Sequence, residues 1–137
     1  MTYKILRGFT LLEMMIVIAV MGILIAIGIK GAGGIMHKAK ESAVKSSGHT
    51  LQMALETYRL DQGNYPVGTL TSDALIDVLL QNGSLSSAPI NPFTQTTYVG
   101  SDASGKIEYI SLDSGITYTL RASGYKNQQI VFEGKNL

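Results

Sequence analysis

The most prominent pattern in the chain is a continuous apolar run near its N-terminus. Residues 9–29 read FTLLEMMIVIAVMGILIAIGI, and Glu13 is the one charged residue among these twenty-one. A helix of that length spans about 31 Å, which matches the hydrocarbon core of a bilayer. The run therefore predicts a helix that can cross a membrane once.

A second helical pattern follows at residues 35–60. Apolar side chains recur there at positions i, i+3, i+4 and i+7, whereas charged residues occupy other positions. The repeated apolar positions are Leu51, Ala54, Leu55 and Tyr58. Gly63 is placed to cap the end of this helix, and Pro66 prevents it from restarting. The two patterns together predict one long helix with an apolar first half and an amphipathic second half.

The rest of the chain has the spacing of short elements. Residues 67–94 predict an irregular connection with one short helix, which begins at Thr71 or Ser72 and stops at Gly83. After Pro92, strands are predicted at residues 97–100, 106–112, 116–122 and 129–132. The third strand has an apolar residue at every second position, which indicates one buried face. These residues are Ile116, Tyr118, Leu120 and Ala122.

These elements predict an α+β fold, in which a long N-terminal helix packs on a small sheet of three or four antiparallel strands. With 137 residues, the chain has room for one domain. It contains no cysteine, which excludes disulfides, thiolate catalysis and cysteine-bound metals. The formal net charge is +1, so there is no basic excess that would predict direct recognition of nucleic acid.

The charges are unevenly distributed along the chain. Up to Lys45, six lysines and arginines meet two acids, whereas from Ser46 onward five meet eight. This division predicts a basic stem and a mildly acidic body. We hypothesise that the stem of one subunit lies against the body of another in a helical stack, so that assembly weakens as salt rises. The lysines between residues 38 and 45 are interpreted as a solvated face of the stem, with anionic lipid or DNA as alternatives.

Glu13 distinguishes between three interpretations of the apolar run. A cleavable secretory signal fits the basic start and the small residues at 26–28, but its apolar part is usually only about 7 to 15 residues long. A plain anchor has no use for a carboxylate, which costs about 2.5 to 3.5 kcal/mol in the middle of a bilayer. An intramembrane acid needs a cationic partner, and the α-amino group of a neighbouring helix is one of the right kind. Such an amine requires a cut just before the run.

Loop charge does not fix the orientation of the span. The bases that follow the span outnumber those that precede it, so the positive-inside count is ambiguous or even inverted. Those that follow are Lys30, Lys38, Lys40 and Lys45, and those that precede are Lys4, Arg7 and the terminal amine.

The segment RGFTLLE at residues 7–13, followed by the apolar run, resembles the class III signal of type IV pilins and of the pseudopilins of type II secretion and competence systems. The segment YRLDQGNYP at residues 58–66 resembles the end of the long helix in the same proteins. The resemblance implies that a prepilin peptidase cuts on the cytoplasmic side after Gly8 and N-methylates Phe9, with Lys4 and Arg7 in the basic leader. It also implies that Glu13 pairs with the Phe9 amine of an adjoining subunit.

The resemblance further implies how the chain is divided into segments. We expect a leader peptide at residues 1–8, a transmembrane and assembly helix at 9–34, and a soluble head at 35–137, with a connecting loop at 67–94 and the sheet at 95–137. The precursor is expected to cross the inner membrane once, with its head outside the cytoplasm, and then to enter a surface pilus or an envelope pseudopilus.

The expected partners are other copies in a helical filament, the peptidase, an inner-membrane assembly platform, other pilins and, before assembly, membrane lipid. We expect no cofactor and no enzymatic activity.

Four glycines lie at the end of the apolar run and just beyond it, in the neighbourhood where the family usually has a proline. Each costs about 1 kcal/mol in a helix interior relative to alanine, so the helix is predicted to be weakest there. They are Gly28, Gly31, Gly33 and Gly34.

Signals for metal chemistry are weak. His37 and His49 are about 120° apart around a helix and are predicted to lie on the surface. Asp102 and Asp113 occupy acidic loops that could hold calcium through oxygen ligands, but simple turns are the default interpretation, because the acid-rich loop of the family's calcium sites is not recognisable.

The sequence therefore favours a type IV pilin-like filament subunit. A type II secretion or competence pseudopilin is the alternative within the family. A membrane-anchored or secreted binding module, or an enzyme, is the alternative from another class, and the position of the mature N-terminus distinguishes among them.

Overall fold

The computed structural model describes residues 8–29 and 32–136. Its helices are α1 (Leu11–Ile29), α2 (Ala32–Gln62) and α3 (Ser72–Asn82). The chain divides after Met36 into two compact units, which we describe separately. The predictions that concern Lys4, Arg7 and Gly31 lie outside the described residues.

Both helix ends predicted by glycine are present in the structure. Gly63 has φ 84°, and its N–H donates to the carbonyl oxygen of Arg59 at 2.8 Å. Gly83 ends α3 with φ 80°, and its N–H donates to the carbonyl oxygen of Leu80. Thr71 is the N-cap of α3, as the sequence predicts. Glycine is favoured at both ends because only it adopts the left-handed conformation without steric cost.

The sheet has four antiparallel strands in the order β1-β2-β3-β4, so each strand lies beside its neighbour in the chain. The strands are β1 (Thr69–Leu70), β2 (Ile107–Leu112), β3 (Thr117–Ser123) and β4 (Ile130–Asn136). The register places Tyr109 opposite Leu120 and Leu120 opposite Gly134. The predicted α+β fold of helix and small antiparallel sheet is confirmed.

Four details of the predicted strands are wrong. The last strand continues to Asn136, four residues beyond its predicted end at residue 132. Residues 97–100 are not a strand, since Thr97 makes only an isolated bridge to Ile90. The two-residue strand β1 was not predicted, because its existence depends on pairing with β2 far along the chain. Ile116 is 59% exposed, because it lies in the turn before β3 begins and not on the buried face.

The core lies between α2 and the sheet. The apolar stripe of α2 is buried, with Leu51 and Leu55 fully inaccessible, as the periodicity predicts. Tyr118 and Leu120 of β3 and Phe132 of β4 belong to the same cluster. This packing fixes the amphipathic helix on one face of the sheet.

Several buried tyrosines bring hydroxyl groups into this core. The hydroxyls of Tyr65 and Tyr118 both donate to the carboxylate of Glu56, at 2.8 Å and 3.3 Å respectively. The Tyr109 hydroxyl donates to the carbonyl oxygen of Pro66 at 2.7 Å. Buried hydroxyls require such partners, so these bonds tie the end of α2 and the following turn to the sheet.

Candidate processing and assembly site

Helix α1 is apolar on all sides and is not covered by other described residues. Its segment Leu11–Gly28 is long and apolar enough to cross a membrane, and none of it is buried. The core helix of a soluble domain would be covered by neighbouring elements, whereas Leu11 is 79% and Ile27 69% exposed. The helix therefore needs a nonaqueous environment, which lipid or other apolar helices can supply.

The three described residues that precede α1 are exposed and non-helical. Gly8, Phe9 and Thr10 come before the first helical residue, and Phe9 is 76% exposed. The predicted cleavage point between Gly8 and Phe9 thus lies in an accessible segment. Its backbone is not tied into helical hydrogen bonds, which a peptidase would otherwise have to break.

Thr10 caps the N-terminus of α1. Its Oγ1 accepts a hydrogen bond of 3.2 Å from the N–H of Glu13, and its carbonyl oxygen accepts from the N–H groups of Glu13 and Met14. The first N–H groups of a helix have no partner within the helix, and a Thr at the N-cap with a Glu three residues later satisfies them. The spacing T-x-x-E at residues 10–13 is the sequence signal for this cap, and it was not interpreted as one.

Glu13 lies in the first turn of α1, where a negative charge interacts favourably with the helix dipole. It is exposed, and it lines an open hollow together with Gly8, Phe9 and Thr10. None of the salt bridges among the described residues involves it. The carboxylate is therefore available to a cation that another molecule supplies.

The glycines that follow the span have no packing role among the described residues. A Cβ at Gly28, Gly33 or Gly34 would meet nothing within 4 Å. Close approach of another group therefore does not explain these three glycines, and backbone conformational freedom is the remaining property in which glycine differs from alanine.

The two calcium candidates are not brought into a common site. Asp102 is buried, and its Oδ2 accepts hydrogen bonds from Asn91 Nδ2 at 2.9 Å and from the N–H of Val99 at 3.0 Å. Asp113 is exposed at the turn between β2 and β3. Among the described residues there is no group of three or more His, Cys, Asp or Glu side chains that could hold a metal ion.

Both histidines are exposed on α2, as predicted, but each contacts an aromatic ring that the sequence did not indicate. The ring centroid of His37 lies 4.1 Å from that of Tyr125, and the ring of His49 lies 4.6 Å from Phe132 in an edge-on arrangement. The histidines thus pack against the β3–β4 region of the head.

An exposed apolar helix with a capped N-terminus and a carboxylate in its first turn is consistent with the class of subunits that a membrane anchors through such a helix. In agreement, residues 6–29 match the prokaryotic N-terminal methylation motif. The comparisons with known proteins then point to one group within this class.

The chain is similar to type II secretion system core protein G of several bacteria. It is 43% identical over 70 residues to the protein of Klebsiella michiganensis, covering 51% of this chain and 49% of that protein. It is 35% identical over 71 residues to the protein of Escherichia coli K12, covering 52% and 49%. For Pseudomonas aeruginosa the identity is 28% over 115 residues, covering 77% of this chain and 81% of that protein. No solved structure matches the chain.

The chain spans about half the length of the first two relatives. The methylation motif and these relatives together support the pilin and pseudopilin family, as the resemblance of residues 7–13 indicates. The members of this family are structural subunits and not enzymes, and the relatives are named as secretion-system core proteins.

Proposed function

We propose that the chain is a pseudopilin of a type II secretion system, a subunit that is cleaved, N-methylated and assembled through its N-terminal helix. The observation that carries this proposal is the similarity to core protein G of type II secretion systems, on a chain whose α1 is uncovered and carries Glu13 in its first turn. The sequence alone favoured a type IV pilus, but the methylation motif is common to both kinds of filament, and the relatives favour the pseudopilus.

Processing begins in the proposal at the exposed segment before α1. A prepilin peptidase in the membrane cuts between Gly8 and Phe9 and methylates the Phe9 amine. The cut removes Lys4 and Arg7, so the charged leader no longer holds the N-terminus at the cytoplasmic surface. The new amine then lies four residues before Glu13 and next to the cap that Thr10 provides.

Assembly in the proposal uses the same few residues. The Phe9 amine of one subunit pairs with the Glu13 carboxylate of the next, which neutralises two charges that are costly in an apolar environment. The apolar side chains of α1 exchange lipid contacts for contacts with other α1 helices. The methionines Met14, Met15 and Met21 adapt to such packing, because they are unbranched and flexible.

The proposed location follows from this pathway. The precursor spans the inner membrane once through α1, with its head outside the cytoplasm. It meets the peptidase, an assembly platform and other pilins in that membrane, and it then enters a short filament in the cell envelope.

The first experiment is mass spectrometry and N-terminal sequencing of the protein isolated from its own membranes and from a sheared surface fraction. An N-methylated Phe9 terminus confined to the membrane fraction is the expected result. The same terminus in the sheared fraction would indicate a surface pilus instead. An intact Met1, or a start beyond Gly28, would overturn the proposal and leave an anchored or secreted binding module.

A second experiment tests the pairing of Glu13. Glu13→Ala is expected to be processed at Phe9 but to fail to form filaments. Met14→Leu, at the adjacent position, is expected to be processed and to form filaments. Filaments of normal length and yield from Glu13→Ala would show that the pairing mechanism is wrong, without affecting the proposed processing.

A further inference from the structure

One end of the head carries a group of cationic and aromatic side chains that the proposed function does not use. We call His37, Lys40, Phe93, Tyr125 and Lys126 the basic–aromatic cluster. Tyr125 lies between two other rings, with centroid distances of 4.1 Å to His37 and 6.0 Å to Phe93. Lys126 Nζ is 5.4 Å from the centre of the Tyr125 ring, and Lys40 Nζ is 5.6 Å from that of Phe93.

The turn that carries two of these residues is held in one conformation. Lys126 and Asn127 have φ of 51° and 52°, which is uncommon for residues other than glycine. The Lys126 N–H donates to Ser104 Oγ at 2.9 Å, and Asn127 Nδ2 donates to the carbonyl oxygen of Asp102 at 2.9 Å. Backbone strain of this kind persists only where the surroundings impose it. The surroundings here place Tyr125 against α2 and leave Lys126 exposed.

The charge around the cluster is predominantly positive. Lys38 and Lys45 are also exposed on α2, although Lys38 lies about 160° around the helix from Lys40. The acid in this stretch of α2 is Glu41, whose carboxylate accepts hydrogen bonds from the Tyr125 N–H and from Gln129 Nε2. Glu41 forms none of the salt bridges among the described residues, so its single negative charge offsets only part of the positive charge of Lys40 and Lys126.

The cluster is also close to the proposed membrane span along the chain. His37 follows Ile29 by eight residues, which reach about 12 Å as a helix and at most about 28 Å when fully extended. The headgroup layer begins where the apolar span ends. Tyrosine and long basic side chains are the residue types that bind at this boundary, since their apolar parts contact lipid while their polar ends reach phosphates.

The position of the cluster near the span accounts for the bases that follow the span, which the positive-inside rule does not explain. A head outside the cytoplasm places Lys30, Lys38, Lys40 and Lys45 on the side where the positive-inside rule disfavours bases. An anionic headgroup surface on that side gives these bases a favourable interaction, of a strength that falls within a Debye length of the membrane.

We propose that the basic–aromatic cluster docks the head on anionic phospholipid headgroups of the bilayer that holds α1. The proposal depends on the proposed function only in placing α1 in a bilayer. It requires neither cleavage nor assembly, so the unprocessed precursor tests it, and its failure leaves the processing of Phe9 unaffected.

The experiment is lysine footprinting of the full-length precursor in nanodiscs. An uncharged amine-acylating reagent modifies the protein in phosphatidylglycerol nanodiscs and in phosphatidylcholine nanodiscs, and mass spectrometry gives the rate at each lysine. Lys38, Lys40 and Lys126 are expected to react about fivefold more slowly in the anionic lipid, and 0.5 M NaCl is expected to remove the difference. Lys135, which pairs with Glu133, is the internal control whose rate stays the same.

A matched pair of variants separates a specific surface from net charge. Lys40→Gln with Lys126→Gln is expected to reduce the protection of Lys38 to less than about twofold. Arg59→Gln with Lys135→Gln removes the same charge away from the cluster, since Arg59 lies in the last turn of α2, and it is expected to leave that protection intact.

Equal rates in the two lipids would overturn the proposal. So would protection that appears only in assembled filaments, because it would assign the cluster to the acidic body of a neighbouring copy.

Discussion

Asn91 donates a hydrogen bond of 2.9 Å from its Nδ2 to Oδ2 of Asp102, and both residues are buried. The same Nδ2 also donates to the carbonyl oxygen of Ser104, while Asn91 Oδ1 accepts from the N–H of Phe93. One amide side chain thus joins the middle of the long segment between α3 and β2 to the part of it just before β2. The conformation of this segment depends on polar contacts more than on strand pairing.

Asn91→Ala is therefore expected to destabilise the head by about 2 to 4 kcal/mol, because it leaves the buried Asp102 carboxylate and nearby backbone groups without their partner. Denaturant unfolding of the full chain in detergent micelles measures this. Thr94→Ala is the control, since Thr94 is exposed in the same segment and bonds only within it; it is expected to cost less than about 0.5 kcal/mol. Equal effects of the two substitutions would contradict this role of Asn91.

Calcium is expected to have little effect on stability, because Asp102 Oδ2 is already occupied by two donors within the head. A calcium site at a hundredfold excess of ion over its dissociation constant would add about 2.7 kcal/mol. We expect the thermal midpoint of the full chain to change by less than about 1 °C between a chelator and millimolar calcium. An increase of several degrees would instead indicate a site built from the Asp102 or Asp113 loops.

Replacing two glycines of α2 by alanine is expected to change stability in opposite directions. A Cβ at Gly48 would lie 2.5 Å from the Phe132 ring, whereas one at Gly34 would meet nothing within 4 Å. Gly48→Ala is expected to destabilise the head by about 1 to 3 kcal/mol through overpacking. Gly34→Ala is expected to raise helix stability by up to about 1 kcal/mol. Hydrogen exchange of α2 amides reports both, and a stabilising Gly48→Ala would show that Phe132 moves aside easily.

Alkaline pH is expected to destabilise the head through its buried tyrosines. Burial raises the pKa of Tyr109 and Tyr118 above the ordinary value of 10.0. Above that value the unfolded chain loses protons that the folded chain keeps, so the free energy of unfolding falls as pH rises. The stability is complete below pH 10 and decreases until the folded-state pKa is passed.

Unfolding curves at pH 8 and about pH 11 measure the effect, which is expected to be about 1 kcal/mol for each buried tyrosine. Tyr109→Phe removes one of these groups together with its hydrogen bond to Pro66. It is expected to lower stability at pH 8 but to reduce the further loss at high pH. An unchanged alkaline loss in this variant would exclude Tyr109 as a source.

Thr10→Val is expected to loosen the first turn of α1, because valine keeps the shape of threonine but cannot accept the hydrogen bond of the Glu13 N–H. The expected cost is about 1 kcal/mol, seen as about fivefold faster exchange of the Glu13 amide in micelles. Thr10→Ser keeps the acceptor and is expected to exchange at nearly the original rate. If both variants exchange alike, the cap has no energetic role.

The sequence predicted best those features that local chemistry determines. Thr71 and Gly83 define α3 through the backbone conformations that caps require, and Leu51 and Leu55 follow helical periodicity onto the core. These signals need no knowledge of distant residues. For the same reason, the apolar run could be interpreted as a helix without a structure.

The features that were missed depend on contacts between distant residues. Residues 97–100 have the composition of a strand, but the bonds of Asn91 and Asp102 hold the surrounding segment in another conformation. Nothing in the sequence indicated that Asn91 is fully buried, because its partners lie 11 and 13 positions away. The stacking of His37 on Tyr125 spans an even longer separation and has no local pattern.

The order of the strands also has a kinetic consequence. β3 pairs with β2, and β4 with β3, through short turns, so two of the three strand pairings close small loops. Contacts of low sequence separation form quickly because little chain entropy is lost before they become favourable. Among the strand pairings, that of β1 with β2 encloses α3 and the Asn91 segment and is expected to form last. A tethered head of this topology has its C-terminal hairpins as a rapid starting point, while the contacts of α2 with the turn after β3, such as that of Glu41 with Tyr125, span 84 residues and are expected to form later.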